Sequence, residues 1–127
     1  MKMTRILVID DEEQVRKTLH LILEQAGYEV IEAPDGSVGI ELYRKNPTDL
    51  IITDLLMPDK EGLETIMEIR RDFPGAKIIA ISGGGREGGL NFLSVAQKMG
   101  AAATLAKPFE RKQLLDAVTK VLGNPKK

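Results

Sequence analysis

A single doubly wound α/β domain, with a parallel five-stranded sheet covered by helices on both faces, is the fold class this sequence predicts. Three observations carry that reading. Short apolar runs alternate with helical stripes along the chain, which is the pattern of consecutive βα units. Three of the runs are solidly apolar, as strands buried on both faces are. No repeat, low-complexity tract or linker breaks the pattern, and 127 residues suit one compact domain. The domain is expected over residues 1–123, with 124–127 a free tail or the start of a linker.

The elements follow in order. Ile6-Leu7-Val8-Ile9 is a strand ending at Asp10-Asp11. Val15, Leu19, Ile22, Leu23 and Ala26 form a helical stripe, and Gly27 is a natural stop. Tyr28 to Ala33 alternates apolar and polar residues, as an edge strand does. Asp35-Gly36-Ser37 opens a second helix carrying Val38, Ile40, Leu42 and Tyr43, ended by Asn46-Pro47. The run from Leu50 is the third strand, stopped by Asp54 and turned away by Met57-Pro58. Leu63, Ile66, Met67 and Ile69 mark a third helix that closes near Phe73-Pro74-Gly75. Lys77 to Ser82 is the fourth strand, followed by a glycine-rich stretch and a helix from about 90 to 99. Ala102 to Ala106 is a short fifth strand, and Leu114, Leu115, Val118, Val121 and Leu122 belong to the last helix. The first, third and fourth strands are central by composition; the alternating second and the short fifth are edges. The order 2-1-3-4-5 satisfies this and is the flavodoxin-like arrangement, with its topological switch between strands one and three.

Composition narrows the function classes. A net charge of −1 offers no overall basic footprint, so direct nucleic-acid binding is not expected. Without cysteine there is neither a disulfide framework nor a thiolate metal site. The first apolar run is cut short by Asp10, and no run approaches membrane-spanning length. A cytoplasmic protein that does not insert into membranes is expected.

The strand ends carry the chemistry. Strand one ends in Asp10-Asp11, strand three in Asp54, strand four in Ser82 and strand five in Lys107-Pro108. In a parallel sheet these ends share one rim, where open α/β sheets bind ligands. Singly, Asp11 could be a helix cap, Ser82 a loop cap and Lys107 a solvated lysine. Their shared rim argues otherwise. Three clustered carboxylates repel one another and call for a cation, and an incomplete all-oxygen set suits Mg²⁺. A carboxylate can also be a nucleophile toward phosphorus, forming an aspartyl phosphate. The charge on a transferred phosphoryl group then needs cations and donors, the types that Lys107 and Ser82 supply. Strands three and five lie roughly 10 Å apart at sheet spacing, a gap that a lysine and an aspartate close by reaching toward each other. Lys107-Pro108 is a candidate cis bond.

With these residues in place, the chain from Arg5 to about Leu122 resembles the receiver domain of two-component response regulators. The resemblance rests on Ile9-Asp10-Asp11-Glu12, Asp54-Leu55-Leu56-Met57-Pro58, Ser82, Gly100-Ala101 and Lys107-Pro108-Phe109. It implies that Asp54 accepts a phosphoryl group from the phosphohistidine of a sensor histidine kinase or phosphotransfer protein. It further implies Mg²⁺ bound by Asp11, Asp54 and the backbone carbonyl of Leu56, with Asp10 assisting, and phosphoryl contacts from Ser82 and Lys107. Phosphorylation would bias an equilibrium read by an output partner on the face of helix four, strand five and helix five. Such a domain catalyses only its own phosphoryl transfer and dephosphorylation.

Two features depart from the family pattern. Thr104 stands where receivers commonly carry an aromatic switch residue, three positions before the lysine. Gly83-Gly84-Gly85-Arg86-Glu87-Gly88-Gly89 is longer and richer in glycine than the usual segment after the serine. It lacks the ending of a phosphate-binding P-loop, and a disorder-to-order response to phosphate is expected of it. His20, between Arg16 and Glu24 at helical spacing, is expected on the surface, and Gly36 and Gly39 are expected to reflect local packing or a weak helix, not chemistry. Two other classes remain. A phosphatase like the haloacid dehalogenases would need Asp-x-Asp on strand one, where this chain has Asp10-Asp11-Glu12. A receiver that no longer takes phosphate is opposed by the complete set of Asp10, Asp11, Asp54, Ser82 and Lys107.

Overall fold

The computed structural model describes residues 3–55, 62–82 and 94–123. Five strands, β1 (Arg5–Ile9), β2 (Glu29–Ala33), β3 (Leu50–Asp54), β4 (Ile78–Ser82) and β5 (Ala103–Ala106), form one parallel sheet in the order β2-β1-β3-β4-β5. The helices are α1 (Glu13–Gln25), α2 (Gly36–Lys45), α3 (Gly62–Asp72), the described helical residues 94–98 as α4, and α5 (Arg111–Leu122). The expected alternation and strand order both hold.

Strand periodicity divides the core in two. Leu7 and Ile9 on β1, Ile51 on β3 and Ile78 and Ala80 on β4 pack against Ile40 and Tyr43 of α2, Ile66 and Ile69 of α3 and Ala96 of α4. The intervening Ile6, Val8, Leu50, Ile52, Ile79 and Ile81 pack against Leu19 and Leu23 of α1 and Leu114 and Val118 of α5. Successive strand residues face opposite ways, so runs apolar at every position must be covered on both sides. β3 and β4 are buried throughout, whereas β2 and β5 are only partly buried, as edges are.

Local signals end the elements where they were expected. Gly27, with φ of +101°, follows α1 in a conformation that a side chain would resist. Asp35 caps α2 by accepting a hydrogen bond from the Val38 N–H at 2.9 Å. Gly39 faces β1: a methyl group there would overlap Ile9, so the glycine serves packing, as expected. Gly100, with φ of +113°, lies against Arg70. Glu110 and Gln113 form a capping box at the start of α5. The Lys107–Pro108 bond is cis. Among the described residues no helix is long and apolar enough to cross a membrane.

Candidate functional site

The even-numbered residues of β1 and the even-numbered residues of β3 face the same side of the sheet. Continuing that alternation by one step aims Asp10 and Asp54 alike at the carboxyl-end rim. Both are nearly inaccessible, at 1% and 5% exposure, whereas Asp11 is exposed. Each of Asp10, Asp11 and Asp54 offers an oxygen within 4.8 Å of the others. The first turn after β1 explains the pairing. Asp10 Oδ1 accepts from the Glu12 N–H at 2.9 Å, which turns the chain and sends Asp11 outward. Glu12, not Asp11, occupies the N-cap position of α1, and it makes no side-chain capping bond. Asp11 is therefore not a helix cap.

Lys107 closes the site from the far edge. Its Nζ lies 3.5 Å from Asp10 Oδ2, 3.5 Å from Asp54 Oδ2 and 3.7 Å from Glu12 Oε1. Burial disfavours its charge, but the attraction of Asp54, Asp10 and Glu12 outweighs that and holds its pKa above the ordinary lysine value. Asp10 shifts upward. Burial is the largest cause, opposed by the Glu12 N–H and by Lys107, with a small addition from the Asp11 charge. A carboxyl that resists ionisation without metal was expected from mutual repulsion; burial is the stronger cause.

Ser82 ends β4 fully buried, and its Oγ has no hydrogen-bond partner among the described residues. A buried hydroxyl left unpaired costs about 1–3 kcal/mol, so Ser82 Oγ is a group that calls for a partner. The Ser82 carbonyl accepts from the Lys107 N–H at 2.8 Å, which ties the two candidate phosphate contacts together through the backbone. Thr104 pairs in register with Ala80, and Ser82 with Ala106. Thr104 thus lies on the face that Ser82 shares, and it is half-buried. Leu56, whose carbonyl was an expected metal ligand, and the glycine-rich stretch 83–89 with its expected ordering lie outside the described residues.

Some participants were missed by sequence reasoning. Gly62 opens α3 directly behind the end of β3: a methyl group there would collide with the Asp54 carbonyl and the Leu55 backbone. Glu12 proves to be the third carboxylate around Lys107. His20 departs from the surface position expected of it. It is half-buried, and its Nδ1 lies 2.6 Å from Glu32 Oε2 on β2. The i,i+4 spacing to Glu24 was visible in the sequence, but the β2 partner was not.

In donor chemistry the site suits a hard divalent cation: three clustered carboxylates, no sulfur or imidazole ligand among the described residues, and a neighbouring ammonium to balance an anion.

Comparisons with known proteins agree with this geometry. The family model described as response regulator receiver domain matches residues 6–119. The chemotaxis protein CheY of Thermotoga maritima is 36% identical over 118 residues, covering 92% of this chain and 96% of its own. A response regulator receiver domain protein from Clostridium thermocellum superposes with a TM-score of 0.87 at 31% identity, covering 94% of each chain. The response regulator protein TrrA of Thermotoga maritima, in complex with Mg(2+)-BeF, is 32% identical with a TM-score of 0.84, covering 94% of this chain and 99% of its own.

Proposed function

The chain belongs to the response regulator receiver family, and on that premise we propose that Asp54 is its phosphoacceptor, phosphorylated in a Mg²⁺-dependent step by a sensor histidine kinase or phosphotransfer protein. It is a signalling domain of two-component systems and not an enzyme that turns over free substrate. The observation that carries the proposal is the placing of Lys107 Nζ 3.5 Å from both Asp10 and Asp54, inside a cluster of three carboxylates.

An Asp54 carboxylate oxygen attacks the phosphorus of phosphohistidine, forming an O–P bond. The P–N bond breaks, and its electron pair leaves on the imidazole nitrogen. Asp10, Asp11 and Asp54 would hold Mg²⁺, which supplies charge neutralisation at the phosphoryl oxygens. Lys107, freed from its carboxylates, follows the phosphoryl group as an opposing charge. The Ser82 hydroxyl, which has no partner among the described residues, donates to a phosphoryl oxygen. That movement biases an equilibrium read by an output partner on the α4-β5-α5 face. A cytoplasmic setting follows from such donors.

The test is incubation with Mg²⁺ and a small-molecule phosphodonor, followed by intact mass. One phosphoryl group is expected on the wild-type protein and none on Asp54→Asn. Full labelling of Asp54→Asn would overturn the assignment.

A further inference from the structure

At the end of a strand the last carbonyl leaves the ladder and needs another partner. The Asp10 N–H still donates to the Ala33 carbonyl of β2 at 3.2 Å. The Asp10 carbonyl belongs to the peptide joining the two candidate metal ligands, and it accepts from Arg16 Nη1 of α1 at 2.8 Å. The same guanidinium donates through Nε to Glu32 Oε1 of β2 at 2.9 Å. Its side chain is only 14% exposed and that of Glu32 19%. A planar guanidinium fixes these two donors relative to each other, which a lysine cannot do.

Glu32 is in turn held firmly. His20 Nδ1 lies 2.6 Å from its other oxygen, and Lys17 Nζ lies 3.6 Å from Oε1. Burial works against its charge, but the bonds from Arg16 and His20 and the Lys17 charge prevail and hold its pKa below the ordinary carboxylate value. A continuous path therefore runs from β2 through Glu32 and Arg16 to the Asp10–Asp11 peptide. Asp10 has further restraints in the Glu12 N–H and Lys107. The plane of this peptide bears on where exposed Asp11 points.

We propose that Arg16, anchored by Glu32, is a positioning residue that orients the Asp10–Asp11 peptide and so aims Asp11 at a divalent cation shared with Asp54. This rests on the reading of the triad as a Mg²⁺ site. Charge and position make opposite predictions here. Removing a positive charge near a cation site tightens cation binding by electrostatics alone. Removing a positioning partner weakens it, by about 10–100-fold for groups that orient metal ligands.

The test is Mg²⁺ affinity by calorimetry on the full chain, with amide NMR of the apo protein and thermal melting alongside. Arg16→Met is expected to weaken Mg²⁺ binding about tenfold or more and to shift the apo amide resonances of Asp11 and Glu12. Arg16→Lys, which keeps the charge but not the fork, should recover only part of the affinity. Glu32→Gln should weaken binding less, and the double variant should bind no worse than Arg16→Met, because Glu32 acts through Arg16. If Arg16→Met does not fold, Arg16→Lys and Glu32→Gln carry the test. Variants that melt lower yet bind Mg²⁺ as tightly as the wild type, or more tightly, would overturn the inference and leave the site reading intact. A wild-type protein that does not bind Mg²⁺ would overturn the site reading and this inference together.

Discussion

Asp10 shows how one residue couples burial, charge and cation affinity. Its folded-state pKa is raised, chiefly by burial, so the apo fold binds the Asp10 proton more tightly than the unfolded chain does. Its ionisation therefore works against stability at neutral pH, and that penalty fades as pH falls through the raised value toward the ordinary carboxylate range. Asp10→Asn is expected to melt higher than wild type without Mg²⁺ at neutral pH. The gap should close on acidification, as paired melting curves would show; a gap that widens instead would refute the assigned sign. Lys107 follows the opposite rule. Its raised pKa means that its pairing stabilises the fold at neutral pH and is lost only in strong alkali. Lys107→Ala should lower apo stability yet retain Mg²⁺ binding, while weakening the response to phosphorylation. Loss of Mg²⁺ binding would show that the lysine does more than meet the phosphoryl group.

Elements position these residues through close contacts that tolerate little change. α3 begins against the back of β3, with the Gly62 N–H donating to the Leu55 carbonyl at 3.0 Å. Because an added methyl group would meet backbone atoms, Gly62→Ala is expected to destabilise by about 1–3 kcal/mol, measured by denaturant unfolding. Asp35→Ala removes the cap of α2, so a loss of about 1 kcal/mol is expected in the same unfolding measurement. Between α1 and the segment after β5, an apolar groove of about 650 Å³ is lined by Val15, Leu19, Ile22 and Phe109 and opens beside Lys107.

For the whole molecule, the sheet order brings Lys107 to Asp10 across 97 residues of chain. A cation held by Asp10, Asp11 and Asp54 would add a link between the ends of β1 and β3. Mg²⁺ at about 100 times its dissociation constant should stabilise the folded state by roughly 2.7 kcal/mol, raising the melting temperature by several degrees. A chelator should reverse the rise, and Asp54→Asn should reduce it.

The alternation of apolar runs and helical stripes determined a parallel sheet covered on both faces and the rim that carries Asp10, Asp11, Asp54, Ser82 and Lys107, while strand composition was only compatible with the order 2-1-3-4-5. Periodicity carries that much because it encodes which face a residue takes. It does not encode what stands opposite. The pairing of Glu32 with both Arg16 and His20, the contact of Gly62 with the Asp54 carbonyl and the third carboxylate at Lys107 depend on strand register and helix docking. No residue spacing within one element records those. Gly62 lay at the head of an ordinary helical stripe, and His20 looked solvated because its local neighbours Arg16 and Glu24 are charged. Only the packing of α1 on β2 brought Arg16 and His20 against a carboxylate on the neighbouring strand, while Glu24 stays exposed.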